Sequence, residues 1–367
     1  MTARPFRRKE GAPTAPNPRT WNCAGGGDAL GAHSQGETAG AAPPREQDKQ
    51  DRPAYGRNAE SVRTVGGDWR NPRPLTAEQV ERWCQQLPAE PVEWAIDLGS
   101  DAREVQLMQV RTLTVQGGTL HYYTNGRPGR PLFFLHGAGL DHRMFAEQYP
   151  AFDREYALFA WDARGHGRSA GVEGFSRDLL VQDLLAVLDR EGLERVTLIG
   201  QSLGGNLAQE IALRHPGRVE ALVVIDATRN NQRLTAWEAA GLALAGPMLR
   251  LMPFGWLVDW SAAACSHRPE VQAYVRECLH SMGKPRFCEV MVRAFDFVRH
   301  RPELRYPGRT LLILGEQDRT GNIRKAMTAW GREEGVEFHV LPGARHNANQ
   351  DAPEETNRII REFLDNG

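Results

Sequence analysis

From residue 108 onward, short apolar runs alternate with stretches of helical periodicity. Two runs, at 108–115 and 119–123, lie close together across Gly117-Gly118, which predicts an antiparallel hairpin at one edge of a sheet. The later runs are nearly free of polar residues, which predicts strands that are buried on both faces. These strands are expected at 131–135, 157–161, 196–199, 221–225, 310–314 and 337–341.

Helical patterns fill most of the intervals between these strands. Ser176 is a suitable N-cap for one helix, and others are expected at 203–214 and 353–364. Asp351 is the predicted N-cap of the last helix, with Pro353 in its first turn. The alternation predicts an α/β fold with a mostly parallel eight-stranded sheet flanked by helices.

One interval, residues 229–307, contains helical patterns but no predicted strand and is rich in Trp, Met, Leu and Phe. Because loops at the carboxyl ends of parallel strands are where ligands bind, we expect a helical lid or cap, inserted after the sixth strand. The alternative is a set of crossover helices that never touch substrate. The core is then formed by residues 108–228 and 308–367.

Residues 1–75 differ from the rest of the chain, since they are rich in Gly and Pro and poor in large apolar side chains. Such a segment buries too little apolar surface to offset its chain entropy, so disorder is predicted. Residues 76–107 are ambiguous, with one short helix possible after Thr76. Because a complete domain follows Met108, one hypothesis is that translation begins there, which native peptides from residues 10–70 would contradict.

The composition and charge of the chain argue against several classes of function. The net charge of −1, with 25% charged residues, predicts neither a nucleic-acid nor a membrane partner. The five cysteines lack metal or redox spacing and are expected to be free thiols. The N-terminus shows no apolar signal region, so a cytoplasmic location is expected. The expected partner is a small-molecule substrate, and the protein is expected to be a monomer or a homodimer.

The sharpest motif is G-x-S-x-G at Gly200–Gly204, with Ser202 at its centre, between a predicted strand and a predicted helix. A tight strand-to-helix turn strains the nucleophile, and small neighbours let the chain pass. Ser202 would stand at a helix N-terminus, whose partial positive charge favours an oxyanion. This context indicates a nucleophilic serine.

A second motif, His136-Gly137-Ala138-Gly139, ends another predicted strand. Its glycines let backbone N–H groups approach a ligand, and the N–H groups of Ala138 and Leu203 are the predicted oxyanion hole. His136 is expected to be a hydrogen-bonded structural residue.

The third motif is D-x-R-G-H-G-x-S, which begins at Asp162. Taken in this order, the three motifs resemble the α/β-hydrolase family, in particular its cap-bearing, esterase-like members, over residues 108–365. By that resemblance, Asp162, Arg164 and His166 shape a turn and are not catalytic. The family order of nucleophile, acid and base implies Asp318 and His346 as the remaining members of a triad with Ser202, since both follow late predicted strands. Asp226 also follows a strand and remains the alternative acid.

The expected reaction is hydrolysis of a small, apolar carboxylic ester through an acyl-enzyme. Lactonase or carbon–carbon hydrolase activity with the same triad, or a slow-turnover receptor for hydrophobic ligands, are the alternatives. Serine at position 202, where dehalogenases and epoxide hydrolases carry aspartate, argues against those two activities. No metal or organic cofactor is implied.

Overall fold

A computed structural model describes residues 108–298, 301, 305–306 and 308–366. The expectations for residues 1–75 and 76–107 lie outside this range. In chain order the strands are β1 (Gln109–Val115), β2 (Gly118–Thr124), β3 (Arg130–Leu135), β4 (Tyr156–Asp162), β5 (Val196–Gln201), β6 (Val219–Ile225), β7 (Arg309–Gly315) and β8 (Glu337–Leu341).

The eight strands form one sheet in the order β1-β2-β4-β3-β5-β6-β7-β8. β2 pairs antiparallel with both β1 and β4, while every other pairing in the sheet is parallel. The predicted edge hairpin and the mostly parallel eight-stranded sheet are therefore confirmed. Because β3, β5, β6, β7 and β8 run in the same direction, their carboxyl ends open on one edge of the sheet, where the loops can carry a common site.

Ten α-helices lie among the described residues. They are α1 (Tyr149–Phe152), α2 (Arg177–Arg190), α3 (Leu203–Arg214), α4 (Ala236–Leu251), α5 (Phe254–Cys265), α6 (Pro269–Met282), α7 (Lys284–Ala294), α8 (Ile323–Glu334), α9 (Ala348–Asp351) and α10 (Pro353–Asp365). None of the helices in the described part of the chain has both the length and the apolarity that a bilayer span requires.

The core lies on both faces of the sheet, because successive side chains of a strand point to opposite sides. In β3, Phe133 belongs to the cluster that contains Leu184 of α2 and Leu207 of α3. Its neighbour Phe134 belongs to the cluster that contains Phe363 of α10. The apolar runs of β3 to β7 thus correspond to strands that are covered by helices on both sides. The expectation of burial on both faces is wrong for β8, an edge strand in which only Leu341 is buried.

Helix ends agree with the sequence in one case and correct it in another. The Ser176 hydroxyl accepts a hydrogen bond of 3.2 Å from the Leu179 N–H, so the predicted cap of α2 is confirmed. The prediction for Asp351 is wrong, since the N-cap of α10 is Ala352. The Asp351 carboxylate accepts hydrogen bonds from the Arg345 N–H and the Ser266 hydroxyl instead. Donors from the preceding loop and from the end of α5 thus bind the carboxylate in place of the first N–H groups of α10.

Helices α4 to α7, together called the helical insertion, lie between β6 and β7, where the sequence predicted helices without a strand. The insertion packs on the loop that follows β3. The Tyr274 hydroxyl contacts the Asp141 carboxylate at 3.2 Å, and Leu279 lies so close to Gly139 that a Cβ there would come within 2.5 Å of its Cδ2. These contacts place α6 beside the predicted oxyanion loop.

Candidate active site

The turn between β5 and α3 holds Ser202 in a strained conformation. Its φ of 51° and ψ of −116° lie outside the regions that serine ordinarily adopts. The Ser202 N–H donates a hydrogen bond of 2.9 Å to the Ile225 carbonyl at the end of β6, which ties the turn to the sheet. The strain is thus held by the surrounding structure.

The small residues around Ser202 are required by close backbone contacts. A Cβ at Gly200 would lie 2.4 Å from the Gly204 carbonyl carbon, and a Cβ at Gly204 would lie 1.9 Å from the Leu135 carbonyl oxygen. A Cβ at Gly205 would lie 2.8 Å from the Ala227 Cβ. The predicted steric reason for the motif therefore holds at each of these positions.

His346 lies in the loop after β8 and reaches both partners named with it. Its Nε2 is 3.1 Å from the Ser202 Oγ, and its Nδ1 is 3.1 Å from an Asp318 carboxylate oxygen. Ser202, His346 and Asp318 thus form one continuous chain of hydrogen bonds, although 28 to 144 residues separate the neighbours. An imidazole held in this way can take a proton from the hydroxyl.

Asp318 follows β7 and is buried. Burial would raise the pKa of Asp318, but the His346 imidazole and a hydrogen bond of 2.7 Å from the Thr320 N–H favour the charged form, and they lower the pKa below its usual value. The carboxylate is therefore ionised at neutral pH and can stabilise an imidazolium.

Asp226, the rival acid, has other partners. It lies at the end of β6 with a φ of 44°, and its two carboxylate oxygens accept hydrogen bonds from Gly315 N–H (2.7 Å) and Ala348 N–H (3.1 Å). Burial and the nearby Asp318 carboxylate raise its pKa well above the usual value. Asp226 thus links the end of β7 to the loop that carries His346, while Asp318 contacts the imidazole.

The predicted oxyanion donors follow two neighbouring parallel strands, β3 and β5. Leu203 is the first residue of α3, and Ala138 lies in the loop after β3. Within the part of the chain that the structure describes, neither N–H makes a hydrogen bond to another protein group. Backbone N–H groups in this state can receive a negative oxygen.

Two buried histidines hold the loop of Ala138. The Nδ1 of His136 contacts the Gly137 carbonyl at 2.8 Å, and its Nε2 accepts from the Ala163 N–H at 3.0 Å. His166 Nε2 accepts from the Gly139 N–H at 3.0 Å, and its Nδ1 contacts the Arg164 carbonyl at 3.0 Å. These partners fix both rings as neutral Nδ1–H tautomers, which makes them structural, as expected.

The other residues of the third motif also build the turn. Arg164 is fully buried and donates to both oxygens of Asp183, at 2.6 and 2.7 Å. The Asp162 carboxylate accepts from the Tyr123 hydroxyl (2.8 Å) and from the Arg168 N–H (2.8 Å). Neither side chain contacts Ser202 or His346, in agreement with the roles that the resemblance implied.

Sequence reasoning missed Gln201, which precedes Ser202. Its Nε2 donates a hydrogen bond of 2.7 Å to the His346 carbonyl, so the residue next to Ser202 also holds the loop that carries His346. A Cβ at Gly137 would come within 2.1 Å of its Oε1. Little in the sequence indicated this role, because Gln201 follows the predicted strand 196–199. In the structure it is the buried last residue of β5, where a polar side chain needs a partner.

A cluster of Asp141, His142 and Asp162 has potential ligand atoms within 4.8 Å of one another. These atoms already have protein donors. Asp141 accepts from Arg143 and Tyr274, and an Asp162 oxygen lies 2.8 Å from His142 Nδ1. We therefore assign no metal to this cluster. The cysteines that the structure describes, Cys265, Cys278 and Cys288, are free thiols.

Comparison with known proteins decides the family. Residues 132–359 match the family model described as the alpha/beta hydrolase family, which covers more than half of the chain. The chain belongs to the α/β-hydrolase family. Hydrolase activity is the general function that this membership supports.

The similar proteins described next are 22–34% identical to this chain. The chain is 34% identical to "3-oxoadipate enol-lactonase 2" of Acinetobacter baylyi over 130 residues, which is 35% of this chain and 49% of that protein, so the match spans about half of the relative's length. The structure of an enol-lactonase from Burkholderia xenovorans superposes with a TM-score of 0.60 at 22% identity, over 69% of this chain and 99% of the other. A thermophilic esterase from Thermogutta terrifontis gives 0.61 at 22% identity, over 71% and 98%. These two structural likenesses show the fold alone.

Proposed function

We propose that the protein is a serine hydrolase that cleaves a small, apolar carboxylic ester through an acyl-enzyme. Ser202 is the nucleophile, His346 the general base and acid, and Asp318 the residue that orients the imidazole. The observation that carries this proposal is the chain of hydrogen bonds, with both contacts of His346 at 3.1 Å. The family and the glycine-rich turn around Ser202 support it.

In the first half of the reaction, Ser202 Oγ attacks the carbonyl carbon of the ester, and its proton passes to His346 Nε2. The imidazolium keeps its Nδ1–H on Asp318, which stabilises the positive charge. When the tetrahedral intermediate collapses, the bond to the alcohol breaks and His346 returns the proton to the departing oxygen. An acyl-serine and a free alcohol result.

In the second half, His346 takes a proton from a water molecule that attacks the acyl carbon, and Ser202 leaves with that proton as the free hydroxyl. Both tetrahedral intermediates carry a negative oxygen, which the Ala138 and Leu203 N–H groups receive. Mutations of such donors in other hydrolases cost about 10²–10³-fold in rate, so this pair is expected to contribute several kcal/mol.

The substrate class follows from the helical insertion, which we propose to act as a lid. Leu279 of the insertion is buried against Gly139 of the predicted oxyanion loop, so the insertion packs beside the proposed site. The Trp, Met, Leu and Phe residues of the insertion support an apolar acyl or alkyl group in the substrate.

A lactone is the second candidate substrate, because two of the similar proteins are named enol-lactonases. The chemistry is the same, except that acyl group and alcohol remain one molecule, so the product is a hydroxy acid. This candidate rests on likeness to those proteins, whereas the ester proposal rests on the site.

The test is hydrolysis of p-nitrophenyl esters of increasing acyl length by the wild type and by Ser202→Ala, together with labelling by a fluorophosphonate. Turnover that falls by orders of magnitude in the variant supports the proposal, and the preferred acyl length measures the acyl pocket. Labelling at Ser202 without turnover of any ester, but with acid release from lactones, selects the second candidate. Absence of both labelling and turnover in a folded protein contradicts a serine hydrolase.

A further inference from the structure

Large apolar side chains are exposed on two helices of the insertion. On α4, Trp237 is 88% exposed and Leu251 is 85% exposed. In the described part of the chain, the exposed large apolar residues outside the edge strands β1 and β8 all belong to α4 or α5. They are Trp237, Leu244, Met248, Leu251, Trp256 and Trp260. A concentration of this kind on two consecutive helices marks an interaction surface.

The exposed residues of α4 follow the repeat of a helix-pairing seam. Trp237, Gly241, Leu244, Met248 and Leu251 are spaced four, three, four and three residues apart, so they lie in one stripe along the helix. All five are exposed. A helix that only covered its own protein would turn this stripe inwards, whereas here the stripe faces out.

Gly241 gives an independent sign of a close neighbour. Glycine inside a helix costs about 1 kcal/mol relative to alanine. None of the described residues lies within 4 Å of the position that a Cβ would occupy there, so packing within the described structure does not require this glycine. A glycine in the middle of an apolar stripe lets a second helix approach closely.

We propose that this stripe, with Trp256 and Trp260 beside it in sequence, is the contact by which two copies of the chain form a two-fold dimer. Leu244 is the middle of the stripe, with Trp237 and Leu251 seven residues away on either side. In an antiparallel pair with the two-fold axis at Leu244, Trp237 meets the partner's Leu251. One stripe is thus complementary to itself, as a two-fold interface requires.

Area and charge favour a second copy over other occupants. When the α4 stripe and the two tryptophans of α5 are both covered, the six exposed side chains contribute on the order of 800 Å². This is the area that each partner contributes to a stable interface of standard size. The helices α4 and α5 contain only three charged residues, Glu238, Arg250 and Asp259. Helices that bind membrane surfaces carry many Lys and Arg residues on the polar face, and these do not. Two such surfaces can meet without like-charge repulsion.

The test is the oligomeric state of the full chain, measured by sedimentation velocity and light scattering over a wide concentration range. The wild type is expected to be a dimer. Leu244→Glu and Leu251→Glu are each expected to raise the dimer dissociation constant about 100-fold, because each places a charge in the buried seam. Gly241→Leu, which keeps the face apolar, is expected to weaken the dimer by opening the seam. Circular dichroism establishes that each variant is folded.

Val340→Glu is the matched control, since Val340 is also apolar and exposed but lies on the edge strand β8. This variant is expected to leave the dimer intact. A monomeric wild type overturns the proposal. If that monomer also binds phosphatidylcholine vesicles, the stripe is assigned to a lipid surface instead. A dimer that survives all three stripe variants, or one that Val340→Glu or Val110→Glu dissociates, also overturns it, the latter in favour of strand-edge pairing.

Discussion

The backbone N–H of Arg345 donates a hydrogen bond of 2.8 Å to the Asp351 carboxylate, and this bond closes the loop that carries His346. The Asp351 side chain is fully buried and also accepts from the Ser266 hydroxyl at the end of α5. Asn347 N–H donates to the Cys265 carbonyl at 2.7 Å. The helical insertion and the loop of the proposed base are therefore held together by hydrogen bonds on both sides of His346.

This relationship makes Asp351 a positioning residue for His346. Asp351→Ala removes the acceptor of the Arg345 N–H and the Ser266 hydroxyl, and the contact with His267 Nδ1 at 3.2 Å. The loop is therefore expected to shift and kcat to fall about 10- to 100-fold, with a smaller change in KM. Ester kinetics measure this split. Asp351→Asn keeps one acceptor oxygen and is expected to restore part of kcat. Asp365→Ala, an exposed change in α10, is the control, and an equal loss there would contradict the assignment.

The two buried carboxylates of the site can be separated by matched variants. Asp318→Asn is expected to lower kcat about 10³- to 10⁴-fold, because the amide cannot stabilise the imidazolium and favours the wrong tautomer. Among the described residues, the hydrogen bonds of the Asp226 carboxylate come from the backbone N–H groups of Gly315 and Ala348, so Asp226→Asn is expected to cost less than about 10-fold in kcat. The reverse ranking, in folded variants with the same esters, would make Asp226 the acid.

The glycines of the turn around Ser202 are expected to be intolerant of even one methyl group. Gly204→Ala places a Cβ 1.9 Å from the Leu135 carbonyl oxygen, and the backbone cannot yield without moving β3 or Ser202. We expect a loss of about 3 kcal/mol or more in unfolding free energy, together with loss of fluorophosphonate labelling. Gly217→Ala, where no described residue lies within 4 Å, is the control. If the two variants unfold at the same denaturant concentration, the steric account is wrong.

The stability of the protein is expected to fall on acidification because of the buried histidines. Burial of the ring, with a contribution from neighbouring His136, lowers the pKa of His166 to about 3. The unfolded chain binds a proton at this residue below about pH 6.5, while the folded protein does not until about pH 3. His166 therefore removes up to about 1.4 kcal/mol of stability per pH unit as the pH falls through this window.

His166→Gln retains an acceptor for the Gly139 N–H but cannot titrate. Urea unfolding at a series of pH values is expected to give a shallower pH dependence for this variant, by about one proton, between roughly pH 6.5 and 3. His136 titrates in the same direction, because burial lowers its pKa too, so part of the dependence remains. Parallel curves for the wild type and the variant would show that His166 is protonated in the folded state.

Most of the sheet could be predicted because the residues of each strand show its burial in their own pattern of apolar and polar side chains. The runs at 131–135 and 310–314 contain almost only apolar residues, since helices cover both faces of β3 and β7. Gly200 and Gly204 could likewise be assigned, because a tight turn imposes its steric demand on adjacent residues. By contrast, Asp351 was wrongly predicted to cap α10. The sequence shows only the N–H groups that follow Asp351 in the chain, whereas the Ser266 hydroxyl reaches its carboxylate through the fold.

The sequence by itself determined the family, the succession of strands and helices along the chain, and the turn that presents Ser202. Side-chain periodicity marks the strands and helices, and contacts between residues close in the chain define the turn. Only the tertiary structure decided that His346 contacts Asp318 while Asp226 contacts Gly315 and Ala348. The reason is geometric. Both aspartates follow parallel strands and reach the same edge of the sheet, so distances of a few ångströms between loops, which no local pattern encodes, choose the partner of each carboxylate.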